Sequence, residues 1–474
     1  MSNALTKADA KRKRQLKSDG LLTALGKGGP IVWISCLLMG FGNIMAGQVI
    51  KGLLCLGLEV IFFWYMFGFE TGGAYWLQKL ITLGDVENSE YWDEAQGAYI
   101  KTMGDESVKI LLFAVATIIA IAGIIFFWQL SVRSGYASLK LRREGKKPLS
   151  FWGDIKELFD SNIHKLLMVP PFVGILVFTI VPLLYMIPMA FTNYDKDHIQ
   201  LFDWVGLDNF IRLFQSGTAL SKQFGTVLGW TVIWAFFATF LNFFFGTFVA
   251  MIINRPTTRC KALWRTIFSL TIAIPQFVSL LIIRSMFQAD GIINLTLREW
   301  GVPQLLCEWG WIKSAESLPF LSNYHWARVV VIVVNLWVGI PYTIMQVTGI
   351  LQNIPADLYE AAKIDGANVA QQFINITLPY MIFVMTPTII GSFTGNINNF
   401  NVIYLLTGGG PTVSAGDSAG KTDLLVTWLY KLSQEQYNYK MAAVIGIMTF
   451  VVLSIISLVT YRSYGSYKDE EGFK

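Results

Sequence analysis

Between Lys109 and Arg133 the chain runs through residues 110–132 without a single charged side chain, and the pattern recurs. Lys165 and Asp195 bracket 166–194, Lys222 and Arg255 bracket 223–254, Arg328 and Asp357 bracket 329–356, and Lys440 and Arg462 bracket 441–461. About 20 apolar residues of helix cross the hydrocarbon core of a bilayer, so each run is long enough to span one. Composition agrees: 54% of the 474 residues are hydrophobic and 15% charged, against about 45–50% and about 25% in soluble chains. Only lipid can hide so much apolar surface from water, which excludes a soluble enzyme, a disordered chain and a fibre. The net charge of +5 is spread through loops rather than gathered in a stripe, and so points to topology and anionic lipid, not to nucleic acid. Cys36, Cys55, Cys260 and Cys307 show no paired spacing, so neither a disulfide framework nor a zinc site is expected.

Two more spans are predicted. Thr266 to Ile283 is short, with Arg284 placed to snorkel, and Tyr380 to Leu406 lies inside a charge-free stretch from Gly366 to Gly416. At the N-terminus, charge sets the topology. Residues 1–29 and the 133–165 loop are rich in Lys and Arg, whereas 70–109 carries Glu70, Asp85, Glu87, Glu90, Asp93, Glu94, Asp105 and Glu106. Basic loops stay cytoplasmic, so one crossing lies between 30 and 69. We assign it to about 50–69 and read 31–48, interrupted by Gly40, Gly42, Asn43, Gly47 and Gln48, as re-entrant or interfacial. Glu59 then falls mid-span, either as a functional group or as a carboxyl protonated or paired within the bundle.

The expected fold class is therefore an all-α polytopic membrane protein of about eight helices. Both termini are cytoplasmic, and no small-residue cleavage site marks a signal peptide. The expected organisation is a basic tail over 1–30, an N-terminal membrane region over 31–165, a core of six helices over 166–462, and a cytoplasmic tail over 463–474.

The stretch from Ile354 to Pro379 reads as two short helices around a turn. Asp357 and Glu360 have capping-box spacing, Gly366 supplies a left-handed stop, Asn368 and Gln371 repeat the cap spacing, and Pro379 ends or kinks the segment. Leu358, Ala361, Ala362 and Asp365 share a face that lets another protein approach closely. Glu360-Ala361-Ala362, Gly366, Ile376 and Leu378-Pro379 together resemble, position for position, the EAA loop of the membrane subunits of binding-protein-dependent ABC importers.

The resemblance covers roughly 166–462 and is finest for the maltose/maltodextrin type of permease subunit. It is carried by residues 335–342 (Asn-Leu-Trp-Val-Gly-Ile-Pro-Tyr), by 392–401, and by Leu405 through Pro411. It implies the ABC type I importer permease fold and a coupling role for Glu360, Ala361, Ala362, Asp365, Gly366 and Pro379. It also implies a sugar cavity lined by Asn335, Val338, Gly339, Tyr342, Ser392, Asn396 and Asn399. The implied partners are a second homologous permease subunit, two cytosolic ATPase subunits that bind ATP and Mg, and an extracellular sugar-binding protein. The chain itself would be no enzyme and would carry no cofactor.

Chemistry supports a neutral ligand. Asn335, Asn396, Asn398, Asn399 and Asn401, with Ser392 and Thr394, are costly against lipid and should turn inward. Amides beside rings such as Tyr342 and Phe400 suit sugar hydroxyls; bonding helix to helix is the other use for them. Gly395 stands where the family pattern has an aromatic, and the short loop from Asp195 to Lys222 lacks the large outer domain of Gram-negative maltose permeases. Maltodextrin is the first expectation, galacto- or other oligosaccharides the second.

Ala415 to Thr422 fits a loose Walker A pattern, but no strand pattern precedes it, so a phosphate cradle is not expected. His164, His198 and His325 have no metal spacing. An ion-coupled secondary sugar transporter would need ionisable groups within the membrane, and only Glu59 is offered.

Overall fold

The computed structural model describes residues 20–83, 86, 89–93, 98–102, 104–255, 257–412, 414 and 416–463. The chain divides into two compact units, the first ending at Val205 and the second beginning at Gly206. Among the described residues seven helices are long and apolar enough to cross a membrane, or eight where a bent pair counts as one span.

In the first unit α1 (Leu21–Lys27), α2 (Pro30–Leu37) and α3 (Phe41–Met45) precede α4 (Val49–Phe67). Of these only α4 is long enough to span, as expected. The 31–48 segment is broken because Gly40 and Gly47 take φ of 84° and 91°, backbone that a residue without a β-carbon enters freely. Glu59 serves the first break: its Oε2 accepts the Met39 backbone N–H at 2.7 Å. The mid-span carboxyl is thus paired within its own bundle.

Next come α5 (Gly73–Thr82) and a hairpin of β1 (Ser89–Asp93) and β2 (Ala98–Thr102), antiparallel with Trp92 opposite Tyr99. These are the only strands among the described residues of an otherwise helical chain. The unit closes with α6 (Ser107–Arg143), α7 (Phe151–Phe159) and α8 (Ile163–Met189). α8 holds Pro170, Pro171 and Pro188 and a π turn at Leu176–Ile180, which re-routes hydrogen bonds that proline cannot make.

The second unit starts with α9 (Asp208–Phe214) and α10 (Ala219–Asn254), the latter capped by Thr218, whose hydroxyl accepts the Ser221 N–H at 3.2 Å. Helices α11 (Lys261–Ala273) and α12 (Gln276–Met286) meet at 89°. The short span expected from Thr266 to Ile283 is this bent pair. Pro275 has no N–H to continue the ladder, and Ile274 before it is extended at ψ 126°.

Short α13 (Ile292–Glu299) and α14 (Val302–Glu308) lead to α15 (Tyr324–Asn353), α16 (Ala356–Ile364) and α17 (Val369–Gln372). After a π turn at Phe373–Thr377 come α18 (Leu378–Ile397), α19 (Phe400–Thr407), α20 (Leu425–Gln434) and α21 (Tyr439–Ser463). The seventh predicted span is therefore interrupted at Asn398–Asn399.

Helices α10 and α15 form the centre of this unit. They approach closely because Gly246 lies against Thr343 and Gly339 against Asn242; a β-carbon at either glycine would come within 2.5 Å of the facing side chain. Small residues are what let membrane helices draw together. Around them Trp230, Trp234, Leu280, Val331, Val402, Ile403 and Leu406 make a buried core.

Candidate translocation site

Both helix breaks of the second unit open onto one cavity of about 340 Å³. Irregular backbone at membrane depth is tolerated where it lines such a space. All seven residues expected at the sugar site, Asn335, Val338, Gly339, Tyr342, Ser392, Asn396 and Asn399, line it. So does Gly395, where an added β-carbon would meet no atom within 4 Å. Phe400 is not among the lining residues; it stacks on Tyr404, with ring centroids 4.8 Å apart.

Sequence reasoning missed Thr239, Asn242, Gln276, Gln346 and Thr388, which also line the cavity. Asn242 was findable, since it is a lone amide among Phe240, Leu241, Phe243, Phe244 and Phe245. No charged side chain lines the space.

Two amides here already hold the fold. Asn396 Nδ2 donates to Thr239 Oγ1 at 3.0 Å, and the Asn396 backbone carbonyl accepts the Trp234 indole N–H at 3.0 Å. Asn399 Oδ1 caps α19 by accepting the Val402 N–H at 3.3 Å, while its Nδ2 donates to Asn396 Oδ1. Two other amides are incompletely paired: Asn335 Nδ2 and Asn242 Oδ1 are buried with no hydrogen-bond partner. Buried polar atoms are nearly always paired. Both residues line the cavity, and an unpaired donor with an unpaired acceptor matches the two needs of a hydroxyl group.

The 354–379 stretch is the expected helical hairpin, α16 and α17, with Gly366 at φ 78° in the turn. Asn368 and Gln371 form a reciprocal capping box, each backbone N–H reaching the other's side-chain oxygen at 2.9 Å. The first cap is corrected. Pro355 precedes α16 without a side-chain bond and Asp357 lies in the first helical turn, because the helix starts two residues before the position a capping aspartate would need. There its charge still favours the positive helix end. Pro379 sits in the first turn of α18, directly after the π turn.

The Tyr359 and Thr377 hydroxyls, 2.9 Å apart, brace α16 against that turn. Glu360, Ala361, Asp365 and Gly366 are exposed and Ala362 is half-buried. Apolar Ile364 and Val369 are also uncovered, at 87% and 74%. One helix, α18, continues from this hairpin at its start and lines the cavity with Met385 through Asn396 at its end.

The Walker-like stretch makes no phosphate cradle among its described residues; Ala415 lies outside them. No strand feeds it, and no helix begins before Leu425. Instead the Thr422 hydroxyl donates to the Gly410 carbonyl at 2.6 Å, and Thr422 O accepts the Trp230 indole N–H at 3.1 Å. Asp423, fully buried, takes the Lys431 ammonium at 2.7 Å, the Gly420 N–H at 2.7 Å and the Thr427 hydroxyl at 2.9 Å. Burial pushes its carboxyl above the usual range, and Lys431, Gly420 and Thr427 pull it back.

A charge-free polar cavity at two broken membrane helices, with an exposed hairpin at the other end of a helix that lines it, defines a multi-pass transport subunit. Comparison with known proteins identifies the kind. Residues 242–466 match the family described as binding-protein-dependent transport system inner membrane component. The maltodextrin transport system permease protein MalC of Streptococcus pneumoniae is 33% identical over 441 residues, covering 92% of this chain and 96% of that one. The galactooligosaccharides transport system permease protein GanP of Bacillus subtilis is 35% identical over 444 residues, covering 92% and 97%. The chain belongs to this family of ABC importer permeases. A crystal structure of a bacterial ABC transporter that imports the acidic polysaccharide alginate shares the fold, with a TM-score of 0.54 at 23% identity over 68% of this chain and 99% of that one.

Proposed function

We propose that this permease forms the translocation path for a neutral oligosaccharide, maltodextrin in the first place, delivered by an extracellular binding protein. The observation that carries the reading is the uncharged cavity with its free Asn335 donor and Asn242 acceptor. Hydroxyls of a sugar pair with both, and Tyr342 offers a ring face. The names of the 33% and 32% identical relatives, MalC and MdxF, support maltodextrin. A galactooligosaccharide is the second reading, favoured by the 35% identical GanP and by glycine at 395 where the family pattern has an aromatic.

In this reading the chain pairs with a second permease subunit and two cytosolic ATPase subunits, which bind ATP and Mg. Both termini and the α16–α17 hairpin face the cytoplasm. The hairpin seats in a cleft of an ATPase subunit, with Glu360 reaching a basic residue and Ala361, Ala362 and Gly366 permitting close approach. Closure of the ATPases then moves α18 and re-orients the cavity, a two-state change driven by differential binding.

The test is affinity purification of the tagged chain from its own membranes, followed by ATPase assay with loaded binding protein. Co-purification of a second permease and an ATPase, with hydrolysis raised by maltodextrin more than by galactooligosaccharide, supports the first reading. The reverse preference supports the second, and a lone chain that still transports would overturn both.

A further inference from the structure

We infer that the second unit holds a further carbohydrate subsite, at the far ends of the two helices that lead out of the polar cavity. The inference rests on the oligosaccharide reading above. Helix α12 begins at Gln276 in the polar cavity and ends beside Arg284 at another cavity, of about 760 Å³. Helix α19 begins after Asn399 in the first and delivers Leu406 and Thr407 to the second. At about 1.5 Å per residue, α12 separates the two by about 16 Å. A chain of sugars too long for the smaller space has the larger one ahead of it along the same pair of helices.

The chemistry of the larger space is that of a sugar site. Arg284, Lys313, Gln288 and Asn323 bring N–H donors, Ser314 a hydroxyl, and Trp311 an indole face. Neither Arg284 nor Lys313 forms an ion pair or hydrogen bond among the described residues, so their donors are free for ligand oxygens. Trp311 stands 70% exposed, where its face can pack on the apolar C–H face of a pyranose while polar neighbours take the hydroxyls.

The wall is built rather than loose. Fully buried Asn294 clamps Leu318, donating from Nδ2 to its carbonyl at 3.2 Å and accepting its N–H at 2.9 Å. Arg298 Nε donates to the Glu316 carbonyl at 2.7 Å. The subsite therefore adds affinity only for sugars long enough to reach it, and gives the transporter a preference for chain length.

The experiment is uptake by the assembled transporter in proteoliposomes, with its binding protein outside and ATP inside, comparing maltose with maltohexaose. For Trp311→Ala and for Lys313→Gln, kcat/KM for maltohexaose should fall about tenfold more than for maltose, about the effect of one lost stacking contact in the first and of one lost charge-assisted hydrogen bond in the second. Equal loss for both sugars would overturn the subsite and assign the surface to docking of the binding protein; no loss for either would also overturn it. If the unaltered transporter moves neither maltodextrins nor galactooligosaccharides, the functional reading fails and the subsite fails with it, an outcome distinct from the other two.

Discussion

Gly339 on α15 lies directly against the Asn242 amide on α10: a β-carbon at 339 would stand 2.4 Å from Nδ2 and 2.7 Å from Oδ1. The glycine sets where that amide points. Held there, Asn242 donates from Nδ2 to the Ala238 carbonyl at 2.7 Å, and its Oδ1 stays buried without a partner.

Gly339→Ala should push this amide aside. Because only the end of a side chain must move, stability should fall by about 1–3 kcal/mol, while the KM for sugar uptake rises several-fold. Transport assays beside thermal unfolding check it; unchanged KM would remove Asn242 from the site.

The two interior asparagines should separate in their effects. Asn399→Ala deletes the cap of α19 and should cost about 1 kcal/mol of stability, with uptake reduced. Asn396→Ala breaks the bond to Thr239 across to α10 and should weaken uptake as well. Paired melting and uptake curves decide the matter, and normal kinetics in the double variant would assign both amides to packing.

Glu360→Lys reverses the one exposed charge in the middle of α16 and has no partner within the described residues to disturb. Membrane insertion should be normal. Uptake and binding-protein-stimulated ATP hydrolysis should both be lost, and normal uptake would sink the coupling role.

Gly395→Phe adds a ring where no atom lies within 4 Å of the new β-carbon. The chain should fold and shift its preference among oligosaccharides. Competition assays between maltodextrin and galactooligosaccharide measure the shift.

Lys431→Met leaves the Asp423 carboxylate buried without its counter-charge, which should cost about 3–5 kcal/mol at neutral pH. Burial already raises this carboxyl's pKa above that of the unfolded chain, so the native state binds the proton more tightly. Between the two values stability falls as pH rises. Removing Lys431 widens that window, and the variant should regain stability on acidification relative to the unaltered chain. Unfolding midpoints across pH, measured for both, test the sign.

Much of this protein was legible in its sequence, since uninterrupted apolar length is itself the physical requirement for crossing a bilayer. The same holds for the hairpin at 354–379, where Gly366, Asn368 and Gln371 act through bonds within a few residues of themselves. Tertiary structure decided what depends on distant partners. It paired Glu59 with Met39 and set Phe400 against Tyr430, off the cavity lining. It also brought Asn242 beside Gly339, far along the chain, and left both Asn242 and Asn335, which line the same cavity, with a buried unpaired atom. Spacing along a chain specifies a helix and its ends, but which amides go unsatisfied is fixed only once α10, α15 and α18 have packed and used up every other partner.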